Sequence, residues 1–258
     1  MIIIRPLMLT AVLQFALLCP ARGDLLEQLH SLAKGTNQSA AAAAALSQTE
    51  VAAGLKETLG KGVERAVASL GRADGFLTNL NVKIPLPEKL RTAEKTLRTL
   101  GQEQLADDFI GSMNRAAEQA VPVAASVFGE AIQQMNLEDA KAILSGTTNA
   151  ATQFFRRTTE TNLYGRFYPI VQKATDQVGV TTQYKRMMGK VGSAGALGGW
   201  FGSKSKTTMQ ASDLDAYVTS KALDGLFLMV AEEEKRIREN PVARTSELLK
   251  RVFGAAAK

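Results

Sequence analysis

Apolar residues recur every three or four positions through most of this chain, and this spacing limits the fold more than any other feature of the sequence. Side chains spaced in this way lie on one face of an α-helix, and that face must be buried against other elements. The clearest face predicted from this spacing consists of Leu55, Leu59, Val63, Val67 and Leu70. Because nearly every segment repeats the pattern, we predict an all-α fold with a single compact, bundle-like domain of several helices.

Prolines and glycines predict where the helices bend or end. Pro122 lies inside a helical pattern that spans about 103–135, and it is expected to kink or split that helix. A second break is predicted at Gly165–Pro169, within the next long pattern. Residues 189–206 contain six glycines, so we predict a glycine-rich loop there.

The stretch NVKIPLP, residues 81–87, is where the helical pattern stops most plainly. Pro85 and Pro87 push the residues before them into extended geometry, so we predict a short extended connection, which we call the strap. It contains no acid, histidine, hydroxyl or cysteine, and a catalytic role is therefore excluded. The strap residues predicted to face the core are Val82, Ile84 and Leu86.

One more long helix is predicted from Asp213 to Glu239, with Asn240 and Pro241 as its stop. Glutamates near its end are followed by arginines at the i,i+4 spacing that brings opposite charges together on a helix surface. The pairs predicted along its outer face are Glu232 with Arg236 and Glu234 with Arg238.

The first 23 residues have the features of a secretory signal peptide. Arg5 lies in a short basic region, an apolar run follows at 7–18, and Ala21 and Gly23 are the small residues that signal peptidase requires. The run is too short to serve as a permanent membrane span. We therefore expect cleavage near Gly23 and a periplasmic or secreted protein.

Cleavage would leave an N-terminal helix and alanine-rich linker at 24–46, followed by a helical domain at 47–254. Cys19, the single cysteine of the chain, would leave with residues 1–23. The mature protein is then expected to have no disulfide, thiol nucleophile or cysteine metal site. Lipidation of Cys19 is disfavoured because Leu18 stands where a small residue is needed.

The charge pattern gives no support for nucleic-acid binding. The formal net charge of +6 falls to +4 on removal of residues 1–23, which hold two arginines and no acid. The remaining charges of both signs are mixed along helices, and no basic stripe alternates with aromatic residues. His30 is the only histidine, which excludes a histidine-rich metal centre. We predict no catalytic residue, no metal and no cofactor.

Acidic residues leave one enzymatic alternative open. Two carboxylates could serve as acid and base if distant segments brought them together in a cleft. Glu118, Asp213 and Asp215 are the candidates for such a carboxylate-type enzyme. The competing interpretation is structural, because Ser212 with Asp215 has the spacing of a helix cap and negative charge is favoured at a helix start.

The segment MNRAAEQ places polar residues beside an alanine-rich helix face. Asn114 and Glu118 are one turn apart, and Arg115 is three positions from Glu118. These residues form either a surface ion pair or an internal polar network that faces a cavity. We favour a structural role and keep all three as candidate ligand-binding residues.

Aromatic residues gather in one segment, with arginines alongside. Phenylalanines at helical spacing usually build the core, but this segment is also the best candidate for the wall of an apolar pocket. An arginine at its mouth would suit an acidic head group. The candidate ligand-binding residues here are Phe154, Phe155, Arg156, Tyr164 and Phe167.

Trp200 and Phe201 are unusual in a glycine-rich loop. They either pin the loop to the domain or contact a partner or membrane surface. This gives a third functional alternative, a peripheral membrane or assembly factor that acts through the Trp200 loop.

The C-terminal stretch DLDAYVTSKALDGLFLMVAEEEKRIRENPVARTSELLKRVFG, residues 213–254, resembles an uncharacterised family of exported bacterial proteins, domain-of-unknown-function family 4197. GLKETLGKGVERAVASLGRADGF, NVKIPLPEKL, MNRAAEQAVP, AATQFFRRTT and VGVTTQY are similar to the same family. The resemblance covers roughly 46–254 and implies a secreted or periplasmic helical protein. It implies no activity, cofactor or site residue.

Together these features predict an exported helical protein that binds a partner without catalysis. The expected partner is an apolar or acidic small molecule, or a component of the cell envelope, held in a helical groove or pocket. Nucleic acid is not expected as a partner, and no permanent membrane span is expected after signal cleavage.

Overall fold

The computed structural model describes residues 48–177, 179–193 and 210–239. These residues contain α-helices and two short 3-10 turns, and no strand among them. The predicted all-α fold is therefore confirmed. The helices are α1 (Gln48–Gly71), α2 (Arg91–Thr99), α3 (Glu103–Ala120), α4 (Ala124–Gln134), α5 (Leu137–Ser145), α6 (Ala150–Gln177), α7 (Val180–Ser193) and α8 (Ala211–Glu239).

The two longest helices, α6 and α8, form the most extensive helix pair, and the others pack around them. Helix α1 lies against α8, α4 and α5, whereas α3 contacts α6, α7 and α8. The predicted face of α1 is largely buried, with Leu55, Leu59, Val63 and Leu70 in the core and Val67 at its margin. The apolar spacing of the sequence therefore identifies the side of the helix that is buried.

Pro122 divides the 103–135 pattern as predicted. Helix α3 ends at Ala120, a 3-10 turn covers Val121–Val123, and α4 continues from Ala124. The proline ring removes one amide donor, and the tighter turn absorbs the distortion. A Cβ added at Gly71 would lie 3.4 Å from Cγ of Pro122, so the end of α1 packs closely against this turn.

The strap is extended, and its three apolar residues are buried as predicted, with Val82, Ile84 and Leu86 each at most 5% exposed. Asn114 of α3 holds its centre. The Ile84 amide donates to Oδ1 of Asn114 (2.8 Å), while Nδ2 of Asn114 donates to the Ile84 carbonyl (3.0 Å). From the other side, the Tyr217 hydroxyl of α8 donates to the Pro85 carbonyl (2.9 Å).

The predicted break at Gly165–Pro169 is wrong, because α6 runs through it without interruption. Leu163, Phe167 and Val171 are fully buried on both sides of the proline. Their burial holds the helix together, while Pro169 and Gly165 face solvent, where the carbonyl that lacks a donor can be hydrated. Glycine at the position four before proline also lessens the steric conflict with the ring.

The predicted loop at 189–206 begins too early. Helix α7 continues to Ser193, so its last turn contains the first of the glycines. Met187 and Val191 are fully buried, and α7 packs against α2, α3 and α6. This burial outweighs the low helix propensity of glycine. Residues 194–206 lie outside the described residues.

A buried ion pair joins three helices near the C-terminal end of α8. Glu234 accepts hydrogen bonds from the amides of Ala151 (2.9 Å) and Thr152 (2.8 Å), and so caps the start of α6. Arg238 donates to Glu234 (2.8 Å) and to the Ile143 carbonyl of α5 (2.8 Å). We call these residues the Glu234 clamp.

The structure corrects the predicted outer-face ion pairs of Glu232 with Arg236 and Glu234 with Arg238. Glu234 and Arg238 do pair, but the Glu234 side chain is only 5% exposed, so the pair is internal rather than on the outer face. Arg236 pairs with Glu233 instead of Glu232. Glu232 accepts a hydrogen bond from Asn81 at the strap (3.3 Å). Sequence spacing alone does not reveal which turn faces the neighbouring helices.

Substitution of Asn114 tests whether the strap depends on this one amide. Asn114→Ala leaves the amide and carbonyl of Ile84 without these partners, so we expect the free energy of unfolding to fall by about 2–4 kcal/mol. Chemical denaturation measures the change. The neighbouring exposed residue supplies the control, since Arg115→Ala should change stability by less than about 0.5 kcal/mol. Equal effects of the two substitutions would contradict the role of Asn114.

Removal of the Glu234 carboxylate should lower the free energy of unfolding more than Asn114→Ala does. Glu234→Ala removes the carboxylate that the largely buried Arg238 cation and two α6 amides share, so we expect a loss of about 3–5 kcal/mol in the free energy of unfolding. Glu232 is exposed and lies two positions before Glu234. Glu232→Ala should lower the free energy of unfolding by less than about 1 kcal/mol. Urea unfolding of both variants makes the comparison, and a tolerant Glu234→Ala protein would show that the clamp is dispensable.

Candidate functional site

The three polar residues predicted in the MNRAAEQ segment separate into two environments. Asn114 and Glu118 are buried, at 0% and 6% exposure, while Arg115 lies in solvent. Asn114 binds the strap, and its Nδ2 also donates to the Ile110 carbonyl (2.8 Å). The geometry therefore matches the internal-network interpretation. The side chains of Asn114 and Glu118 bind backbone groups, and Arg115 takes no part in the network.

Glu118 organises the turn that precedes the strap. Its two carboxylate oxygens accept hydrogen bonds from the amides of Asp74 (3.2 Å) and Phe76 (3.1 Å). Asp74 has a left-handed backbone conformation (φ 60°), which this turn requires. Burial raises the pKa of Glu118, although amide hydrogen bonds from Phe76, Asp74 and Leu77 oppose the rise. The carboxylate is therefore occupied by backbone donors.

Most of the aromatic segment forms core rather than pocket wall. Phe155 and Phe167 are fully buried. The Phe155 ring meets Phe128 of α4 edge to face at 5.0 Å, and Phe128 meets Phe227 of α8 at 5.9 Å. Phe154 contacts Phe155 at 5.7 Å and lies at the edge of this cluster. Of the three phenylalanines, only Phe154 lines a pocket at the surface.

Arg156 is not available as the arginine of a pocket mouth. Its guanidinium lies 4.5 Å from the centre of the Phe227 ring and pairs with Glu160 (2.9 Å) and Asp224 (3.8 Å). Cation–π and ionic partners thus satisfy this side chain. Tyr164 is 37% exposed and stacks on Tyr168 at 6.0 Å, beside a shallow groove that Glu160 and Asp224 also line.

A pocket of about 290 Å³ lies where α4, α5 and α6 meet, and we call it the α4–α6 pocket. This volume is near the lower end of the range for small-molecule sites. Three of its lining residues are apolar and seven are polar. The lining residues are Val127, Glu130, Ala131, Gln134, Asp139, Phe154, Arg157, Thr158, Thr159 and Asn162.

Arg157, the neighbour of Arg156, supplies the positive charge of this pocket. Its guanidinium lies 5.8 Å from the centre of the Phe154 ring. Within the part of the chain that the structure describes, no carboxylate lies within 4 Å of it, whereas Arg156 has two within that limit. Arg156 and Arg157 are adjacent in the sequence, but among the described residues only Arg156 has carboxylates close enough to neutralise its charge.

Both acids of the pocket already have partners. Glu130 lies 3.7 Å from the guanidinium of Arg166. Asp139 accepts from the Asn136 amide (3.2 Å), while Asn136 accepts from the Asp139 amide (2.8 Å), which forms the capping box at the start of α5. Both acids thus have local partners, whereas Arg157 has no carboxylate within 4 Å among the described residues.

The spacing of residues along α6 indicates one wall of this pocket. Phe154, Thr158 and Asn162 are spaced by one helical turn each, so they form a stripe beside the aromatic core. Arg157 flanks this stripe. Helix α4 supplies the opposite wall of the pocket. The packing of α4 against α6 cannot be derived from residue spacing along one helix. Of the predicted site residues, only Phe154 lines the pocket.

Trp200 and Phe201 lie outside the described residues, and their proposed contact with a membrane or partner stays a prediction. None of the helices in 48–177, 179–193 and 210–239 combines the length and apolar character needed to cross a membrane. Those same ranges contain no cluster of three histidine, cysteine, aspartate or glutamate side chains arranged as metal ligands.

Comparison with known families identifies the chain over most of its length. A family model described as "Protein of unknown function (DUF4197)" matches residues 45–254. The chain belongs to the DUF4197 family. Comparison with curated proteins finds no significant match, and comparison with solved structures finds none either. The resemblance read from the C-terminal stretch is confirmed.

Membership of DUF4197 brings no activity to this chain, so the acids must be judged by their surroundings. Asp215 was expected to cap α8, but its carboxylate is buried and accepts a hydrogen bond from the Thr175 hydroxyl of α6 (2.6 Å). Asp213 instead accepts from the Gln210 amide (3.3 Å) and caps the helix. Burial raises the pKa of Asp215, with the Thr175 hydrogen bond opposing the rise.

Asp215 should leave a signature in the pH dependence of stability. A carboxyl group with a raised folded-state pKa holds its proton more tightly when folded, so its contribution to stability falls as pH rises from its ordinary pKa through the raised value. Asp215→Asn removes this term. We expect the variant to gain stability relative to the unmodified protein as the pH rises above the ordinary pKa of an aspartate.

Urea unfolding at several pH values measures this difference, and Thr175→Val supplies a second comparison. Loss of the threonine hydroxyl removes the bond that lowers the Asp215 pKa, so the decline should extend to higher pH. A stability difference between Asp215→Asn and the unmodified protein that is constant with pH would show that the group ionises at its ordinary pKa.

Proposed function

We propose that this protein is an exported, non-catalytic binding protein that holds a small molecule in the α4–α6 pocket. The observation that carries the proposal is the contrast between its polar groups: the buried acids are engaged by backbone or side-chain donors, while Arg157 faces the pocket without an anionic partner among the described residues. A site with one uncompensated charge is suited to recognition.

The pocket also has the rigidity that recognition needs. Its inner wall includes Phe154, which is 7% exposed and packed against the aromatic cluster of Phe128, Phe155 and Phe227. Thr159 is buried and its hydroxyl donates to the Phe155 carbonyl (2.7 Å). The Glu234 clamp fixes the start of α6 just before these residues. A wall held in this way is preorganised, which reduces the entropic cost of binding.

The carboxylate-enzyme alternative receives less support. Glu118 binds two backbone amides, Asp215 binds a threonine hydroxyl, and Asp213 caps α8. None of the three lines the α4–α6 pocket. Acid–base catalysis needs carboxyl groups that reach a substrate within hydrogen-bond distance. We therefore favour binding over catalysis as the role of this domain.

Export is the remaining part of the proposal and is supported by residues 1–23. Their basic start, apolar run and small residues before the expected cleavage site are those of a secretory signal. The ligand would then be a solute of the periplasm or exterior, or a small component of the envelope. Fractionation of the producing cell, with detection of a product shortened near Gly23, tests this part.

Filling the pocket should abolish ligand retention. Ala131 lines the pocket from α4, and Ala131→Trp is expected to occupy its volume. The full-length gene product is expressed in its own host, purified under native conditions and analysed by native mass spectrometry and solvent extraction. We expect a small molecule with the unmodified protein and at least a tenfold smaller amount with Ala131→Trp.

Ala125→Trp is the matched control, since Ala125 is exposed on the same helix and does not line the pocket. It should retain the molecule. Thermal unfolding confirms that both variants fold. Equal retention by the two tryptophan variants, or a protein that never carries a molecule, would overturn the pocket as the binding site.

A further inference from the structure

We propose that the α4–α6 pocket recognises a small organic monocarboxylate with an apolar portion, and that Arg157 anchors its carboxylate. This inference rests on the proposed binding function and adds the chemical class of the ligand. It follows from three observations: the unneutralised charge of Arg157, the local partners of the pocket acids, and the apolar side chains of Val127, Ala131 and Phe154 in the lining.

The charge of Arg157 selects for an anion. A guanidinium presents paired N–H donors in a plane, and this geometry matches the two oxygens of a carboxylate. The centre of the Phe154 ring lies 5.8 Å from the guanidinium, within cation–π range, so this contact helps to hold the exposed Arg157 side chain beside the pocket. Arg156 cannot serve in its place, because Glu160 and Asp224 already share its charge.

The rim limits that anion to a single charge. Glu130 and Asp139 line the pocket together with Arg157. Arg166 compensates the first and the start of α5 compensates the second, so neither cancels Arg157. A dianion such as phosphate would nevertheless meet two carboxylates for one uncompensated cation. Repulsion between like charges disfavours it relative to a monoanion.

The remaining lining residues determine the rest of the ligand. Val127, Ala131 and Phe154 offer an apolar wall, which favours a hydrocarbon portion over a small inorganic ion. Asn162, which also lines the pocket, accepts a hydrogen bond at its Oδ1 from Arg166 (3.1 Å). A volume of about 290 Å³ admits a small molecule with one ring or a short chain.

Benzoate and its neutral analogue benzamide test the class directly, with inorganic phosphate as the anion that has no apolar portion. Binding to the full-length protein, freed of its own ligand by dialysis under mild conditions, is measured by isothermal titration and by NMR shifts of the pocket residues. We expect benzoate to bind about tenfold or more tightly than benzamide, which corresponds to one charge-assisted hydrogen-bonded pair. Phosphate should bind more weakly than benzoate.

Two variants at position 157 assign the preference to this residue. Arg157→Gln should lose the preference for benzoate over benzamide, and Arg157→Lys should keep part of it, since the charge stays but the planar fork is lost. Arg186→Gln, an exposed arginine of α7 outside the pocket, should keep the full preference. Arg157 is exposed, so these variants are expected to fold, and thermal unfolding verifies this.

Several results would overturn the inference. They are an absence of benzoate binding, equal affinity for benzamide, phosphate binding as tight as that of benzoate, or an undiminished preference in Arg157→Gln. The extraction experiment separates this failure from that of the proposed function. A molecule that is lost from Ala131→Trp but retained by Arg157→Gln would leave the pocket established and the carboxylate anchor disproved.

Discussion

The buried carboxylate of Glu234 is the constraint on which the positions of the other helices near the pocket depend. It reaches from α8 to the first amides of α6, and its partner Arg238 reaches on to the last turn of α5. A charge in this position is tolerable only because amides, a hydroxyl and a guanidinium all bind it. The clamp therefore fixes the mutual placement of three helices, two of which line the α4–α6 pocket.

Buried polar side chains hold several elements of the described domain together. Asn114, Glu118 and Tyr217 hold the strap and the turn before it, and Asp215 joins α8 to α6. These groups are committed to the fold. The proposed recognition site lies at the surface, where Arg157 lines the α4–α6 pocket and its neighbour Arg156 does not.

Local signals explain which parts of the fold could be predicted. The Pro122 turn depends on residues within one helical turn of each other, and it was predicted correctly. The capping box of Asn136 and Asp139 is likewise formed by residues three positions apart. Pro169 carries the same local signal as Pro122, yet the helix continues through it. The difference lies in the buried face on either side of it, and burial of that face is a property of the whole domain.

The sequence by itself determined the all-α class, the extended strap with its buried Val82, Ile84 and Leu86, and membership of DUF4197. Those features follow from residue types and their spacing along the chain. Only the tertiary structure decided that Glu234 is internal and that Arg157, rather than Arg156, faces a pocket. The environment of a charged side chain depends on which helices pack against it, and that is settled when the domain assembles.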